Sequence, residues 1–186
     1  MSTYTEATKQ ITEEITSSLS NVDSEQVDQL LEEINKAEKV FFVGVGRVLL
    51  SLQAIAKRLA HLGVQTYVVG QITEPAITDK DLLIVGSGSG ETQFPLIIAS
   101  KAKQYKARVA HIGANPDSSM SEYADVFVRI PVSSKIDAPG EVHSQQPMKS
   151  LFEQSLLLFG DSLALMMVNK KNIELQSLWE YHANLE

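Results

Sequence analysis

The sequence predicts an α/β protein: a three-layer α/β/α arrangement around a five-stranded parallel sheet, with extra helices at the N-terminus. Three observations carry this. Five short runs rich in apolar and β-branched residues, at 40–43, 65–69, 82–85, 108–112 and 126–130, are separated by helical or turn-rich segments. The run Leu82-Leu83-Ile84-Val85 is apolar without alternation, as in a parallel strand covered on both faces. Glycine turns follow the first and third runs, where the carboxyl ends of parallel strands hold ligands near a topological switch point.

In chain order, Tyr4, Ala7, Ile11, Ile15 and Leu19 form a narrow apolar stripe at helical spacing on a polar segment. This first helix either lies on its own domain or packs on another subunit. Asp23 with Gln26 three residues later resembles a capping signal, and Val27, Leu30, Leu31 and Ile34 mark a second helix. After the first strand, Leu52, Ile55, Ala56 and Leu59 place a helix that runs to about Leu62 and stops at Gly63. Residues 131–147, with Ser133, Ser134, Pro139, Gly140, Ser144 and Pro147, read as a long loop of the kind used as a functional lid. Residues 148–168 are apolar nearly all round and predict a helix buried on several sides, and a helix-like segment ends the chain. The expected organisation is one domain over 1–186: N-terminal helices at 1–39, the parallel core at 40–131, the loop at 132–147 and C-terminal helices at 148–186.

The 186 residues suffice for one well-buried domain, and 44% hydrophobic with 21% charged residues is ordinary for a globular chain. A net charge of −7 and a pI near 5.1 disfavour nucleic acid and anionic membrane surfaces, which need a basic field. With no cysteine, disulfides, thiolate metal sites and a cysteine nucleophile are excluded. No basic leader precedes an apolar core and no run of 18 apolar residues occurs, so a cytoplasmic location is expected.

The organising stretch is Gly86-Ser87-Gly88-Ser89-Gly90-Glu91-Thr92 after the third strand. Glycines let backbone N–H groups approach an anion, and the first turn of the following helix presents further unpaired, positively polarised N–H groups. Ser87, Ser89 and Thr92 add hydroxyls, and Thr92 as N-cap with Pro95 in the first turn starts the helix here. No Lys-Ser/Thr follows, so a sugar phosphate fits better than a nucleotide. In Gly44-Val45-Gly46-Arg47-Val48-Leu49 the third glycine of a dinucleotide fingerprint is replaced by Leu49. Gly70-Gln71 likewise stands where a ribose-binding carboxylate would be, which disfavours a dehydrogenase.

Ser87 to Thr92 resembles the signature of the sugar isomerase (SIS) domain, a flavodoxin-like α/β/α fold, and within it the chain is similar to the 6-phospho-3-hexuloisomerase family. The likeness also rests on Gly44-x-Gly46-Arg47, on the segment from Arg58 to Gly63, and on Val69-Gly70-Gln71 with Thr73-Glu74-Pro75. It continues through Gln146-Pro147-Met148, Leu151-Phe152-Glu153-Gln154 and the tail from His182 to Glu186. Val48 stands where that family usually has serine, and Gln71 where it has glutamate.

The resemblance implies interconversion of hex-3-ulose 6-phosphate and fructose 6-phosphate through an enediolate, as in the ribulose monophosphate pathway of formaldehyde assimilation, with no metal and no cofactor. It further implies a homo-oligomer, with a tetramer favoured and the subunit number left open, and with sites near subunit interfaces. Gly46, Arg47, Ser87, Gly88, Ser89, Gly90, Glu91 and Thr92 are the expected substrate-binding residues. Glu153 is the expected base, because partial burial raises a carboxylate's pKa towards a range where it can accept and return a proton. The alternative for Glu153 is an i, i+4 pair with Lys149. His61 and His182 are the candidate proton shuttles, and His182, so near the end, is placed to complete a neighbouring subunit's site. The competing readings are an isomerase of another phosphosugar, kept open by Val48 and Gln71, and a sugar-phosphate sensor that binds without converting. The acidic segment before the first strand disfavours the DNA binding expected of such sensors.

Overall fold

The computed structural model describes residues 3–133 and 140–185; Ser134 and Pro139 of the expected loop and Glu186 of the tail lie outside them. Five parallel strands, β1 (Val40–Val43), β2 (Thr66–Val68), β3 (Leu82–Gly86), β4 (Arg108–Gly113) and β5 (Val126–Arg129), form one sheet in the order β2-β1-β3-β4-β5. Successive residues of each strand point to opposite faces, so the continuous apolar runs feed two cores. Phe42, Ile84 and Ile112 pack on one face, under the helices α2 (Ser24–Lys36), α3 (Gly46–Ala60) and α5 (Leu151–Lys171). Phe41, Leu83, Val85 and Val109 pack on the other with α4 (Gln93–Gln104). The expected three-layer sheet architecture is therefore present.

The link between β2 and β3 carries no helix, so residues 74–77 cover the sheet there. An apolar cavity of about 300 Å³ remains, lined by Phe41, Val69, Ile77, Ile98 and Tyr105. It holds no catalytic side chain proposed from the sequence.

Helix α1 (Tyr4–Ser20) begins with a Thr3–Glu6 capping box that the apolar pattern did not signal. It lies on its own domain: Ile15 and Leu19 join the core, and the buried Ser18 hydroxyl meets that of Ser155 on α5 at 2.7 Å. Glu14 accepts bonds from the Ser144 hydroxyl, the Gln145 N–H and the Gln146 amide, tying α1 to the approach to α5. Burial pushes the Glu14 pKa up, and these bonds with one from Gln10 outweigh it, leaving the carboxyl below its usual value.

Two local expectations change. Asp23 does cap α2, accepting from the Glu25 N–H at 2.8 Å. Gln26, however, closes no capping box: its side-chain oxygen accepts from the Arg129 N–H at 2.8 Å and satisfies edge strand β5. The last long helix starts at Leu151 rather than Met148, because Met148 and Lys149 take left-handed φ of 57° and 60°. It is a core helix along Leu151, Leu156, Phe159 and Leu163, yet leaves Leu158 and Leu165 exposed, so burial is one-sided. By length and composition alone α5 is long and apolar enough to cross a membrane, but its buried face packs into the domain core. The tail forms a 3-10 helix at Leu175–Tyr181.

Candidate active site

The strand order reverses between β1 and β3, so the turns that follow these two strands flank one crevice. After β1, the chain passes through Val45 into α3, whose first residue is Gly46 and second Arg47. After β3 comes the 87–92 loop and then α4, with Thr92 as N-cap in extended conformation. The N-termini of α3 and α4 both stand at the carboxyl end of the sheet, which concentrates positive backbone charge where an anion would sit.

The loop is held by its own bonds and by the turn after β4. The Gly90 N–H donates to the Ser87 hydroxyl at 3.1 Å, and the Ser87 hydroxyl lies 3.3 Å from that of Thr92. Thr92 makes no side-chain cap bond, leaving its hydroxyl directed at the loop. Gly90 has φ +69°, and a Cβ there would lie 2.1 Å from the Ser118 hydroxyl, so only glycine fits. The Glu91 side chain is engaged within the protein. Its carboxylate accepts from the Ser119 N–H and hydroxyl, both at 2.7 Å, and these bonds hold its pKa below the ordinary value. Its side chain therefore fastens the loop to Ser119 in the turn after β4.

The first turn of α5 closes the crevice from the third side. Phe152 lies against the loop, its ring 3.3 Å from where a Gly88 Cβ would be. Next to it Glu153 forms an ion pair with Arg47, and its backbone carbonyl accepts from the Ser51 hydroxyl at 2.8 Å. Lys149 is not the partner of Glu153, because its left-handed backbone puts it outside the helix that would align an i, i+4 pair. Val48 also borders the site: a Cβ at Gly86 would lie 2.9 Å from its Cγ1. Thus Gly46, Arg47, Ser87 to Thr92 and Glu153 are brought together. Phe152, Ser51, Ser118 and Ser119 were missed, although the turn after β4 is next to β3 at the ligand end of the sheet.

His61 and His182 are brought to each other but not to this crevice. His61 caps the far end of α3, fourteen residues beyond Arg47 or about 21 Å along a helix. Its ring stacks on His182 with centroids 5.2 Å apart, and Trp179 lies 4.9 Å from His182 on the other ring pairing. The pair lines an open cleft of about 580 Å³ with Arg58, Leu165, Leu178 and Trp179. Among the described residues no cluster of three or more potential metal ligands occurs.

With this geometry in view, the family relations are clear. Residues 33–160 match the SIS domain model. The chain is 40% identical over 182 residues to a 3-hexulose-6-phosphate isomerase of Bacillus subtilis, covering 98% of each chain. It is 39% identical over 176 residues to the enzyme of that name from Mycobacterium gastri, covering 95% of this chain and 88% of the other. A crystal structure of a Methanococcus jannaschii protein, for which a 3-hexulose-6-phosphate isomerase function was inferred, superposes with a TM-score of 0.84 at 30% identity, covering 97% and 99% of the two chains. The chain belongs to the SIS domain family and, within it, to the 3-hexulose-6-phosphate isomerases.

Proposed function

We propose that this chain is a phosphosugar isomerase that interconverts D-arabino-hex-3-ulose 6-phosphate and D-fructose 6-phosphate in the ribulose monophosphate pathway. The observation that carries the site assignment is the meeting of a phosphate-type loop, Arg47 and Glu153 at one crevice. The phosphate lies on the N–H groups and hydroxyls of Ser87 to Thr92. Glu153 removes the proton from C2, giving an enediolate across C2 and C3. A proton then returns at C3, the oxygen-bound proton passes from O2 to O3, and the carbonyl is left at C2. Arg47, already beside Glu153, offers its guanidinium to the developing enediolate oxygens.

His61 and His182 serve as the proton shuttle between O2 and O3, supplied by a neighbouring subunit, since one chain holds them a helix length from its own Glu153. Support for this comes from the apolar surface around the pair, where Leu165 is 60% and Trp179 70% exposed. The working form is thus a homo-oligomer, with a tetramer favoured and the cytoplasm as its place of action.

The test is isotope exchange. Fructose 6-phosphate incubated in heavy water with wild type should exchange its C–H protons and form hexulose, followed by NMR, and Glu153→Gln should abolish both. Binding of fructose 6-phosphate without exchange would instead indicate a sensor, and absence of both would indicate a different phosphosugar.

A further inference from the structure

Beneath the anion loop lies a histidine that the proton chemistry does not use. His111 in β4 is 1% exposed, its ring tilted against Phe127 with centroids 5.1 Å apart. Its Nε2 stands 2.9 Å from the Ser87 carbonyl oxygen, and since a carbonyl only accepts, Nε2 carries the proton. Burial lowers the His111 pKa to about 4, against a smaller opposing effect of the bond to Ser87, so the ring is neutral at pH 7.

The Ser87 carbonyl also accepts from the Gly90 N–H at 3.2 Å, and the Gly88 carbonyl accepts from the N–H groups of Ala114 at 2.9 Å and Asn115 at 3.2 Å. Two successive loop carbonyls are therefore turned towards β4 and the turn after it. In a trans peptide the C=O and N–H point opposite ways, so the Gly88 and Ser89 N–H groups are turned away from β4. The ring fits only because position 113 is glycine: a Cβ there would lie 2.4 Å from His111 Nε2 and 2.8 Å from the Ser87 oxygen.

We propose that His111 is a positioning residue for phosphate recognition, its Nε2–H fixing the Ser87–Gly88 peptide so that the Gly88 and Ser89 N–H groups are presented to the phosphate oxygens. The role rests on the phosphosugar reading above. His111 touches no substrate and acts through the loop backbone.

Two variants test it. His111→Met removes the donor at similar volume, and His111→Gln returns an amide N–H to the place of Nε2. With fructose 6-phosphate as substrate and inorganic phosphate as competing probe, His111→Met should raise both KM and the phosphate inhibition constant about tenfold. It should leave kcat within about threefold, and His111→Gln should recover most of the loss. A folded His111→Met protein with unchanged KM and inhibition constant overturns the role, as does a fall in kcat alone. Should both variants fail to fold, the wild-type protein decides by 1H–15N spectroscopy. The role requires a neutral Nε2–H tautomer at His111 and Gly88 and Ser89 amide signals that move when inorganic phosphate is added; an Nδ1–H tautomer or stationary amides overturn it. Wild-type protein that moves these amides with phosphate but turns over no fructose 6-phosphate would break the isomerase reading and leave the positioning role standing.

Discussion

Arg47, the second residue of α3, is ion-paired with Glu153, the third residue of α5, and this pair joins the first turns of the two helices at the edge of the anion loop. Arg47 is 64% exposed and Glu153 13%, so the pair is wet on one side and contributes no more than about 1 kcal/mol to folding. Its purpose is better sought in catalysis. Glu153→Gln should lower kcat by about 100-fold or more, the scale of a lost general base, while the denaturation midpoint and the affinity for inorganic phosphate stay near wild type. Arg47→Lys keeps the charge but not the planar fork, and should retain more activity than Arg47→Ala. Steady-state kinetics beside a urea titration checks both.

Thr92 offers a separation of binding from stability. It occupies the N-cap of α4 in extended conformation but makes no cap bond, its hydroxyl lying instead 3.3 Å from that of Ser87. A bonded cap is worth about 1 kcal/mol, so Thr92→Val should cost less than about 0.5 kcal/mol. Its phosphate inhibition constant should nevertheless rise about tenfold. A large stability loss with unchanged phosphate affinity would reassign Thr92 to capping alone.

Gly160 sets how closely α3 and α5 approach, and so where Glu153 meets Arg47. A Cβ at Gly160 would lie 2.2 Å from Ile55 Cγ1. Alanine gains about 1 kcal/mol in helix propensity, but overpacking a rigid contact costs about 1–3 kcal/mol, so Gly160→Ala should be net destabilising. In an Ile55→Ala background the clash is gone and the same change should become neutral or favourable. Urea midpoints of the four proteins measure this coupling.

His111 gives the fold a defined pH response. Its pKa is about 4 in the native state against 6.5 for the free side chain, and its contacts Ser87, Gly90, Gly113 and Phe127 carry no charge. Between these values the unfolded chain binds a proton that the native chain refuses, so stability is full above pH 6.5 and falls as pH drops towards 4. The loss is of the order of 3 kcal/mol. Glu14, whose pKa lies below 4.5, adds its own loss only at lower pH. Denaturation midpoints at pH 7 and pH 5 should differ in wild type, and this difference should shrink in His111→Gln.

The sheet was legible because parallel strands buried on both faces leave unbroken apolar runs, and all five were found with no end off by more than one residue. The turn between β3 and α4 was legible because its glycines and hydroxyls sit at a strand end. What could not be read were contacts across large sequence separations: Phe152 on Gly88, Glu153 with Arg47, and Gln26 reaching β5 instead of closing its own capping box. Glu91 shows the same limit, since nothing local says its carboxylate will bind Ser119. Lys149 misled for a local reason, its left-handed backbone, which neither propensity nor spacing reveals.

The placement of His61 and His182 leads to the last prediction. They stack on each other at the C-terminal end of α3, about 21 Å along the helix from Arg47, too far to exchange protons with a substrate held at the same chain's loop. If a neighbouring subunit supplies them, Glu153→Gln and His182→Ala proteins are each inactive alone but complement when mixed. A mixed oligomer contains interfaces where an intact Glu153 meets an intact His182, so unfolding the two together and refolding should restore up to about a quarter of wild-type activity, the statistical share of doubly intact sites in an equal mixture. Mixing without subunit exchange should restore none. If co-refolded proteins form mixed oligomers by mass spectrometry yet stay inactive, the histidines act within their own chain or outside the chemistry.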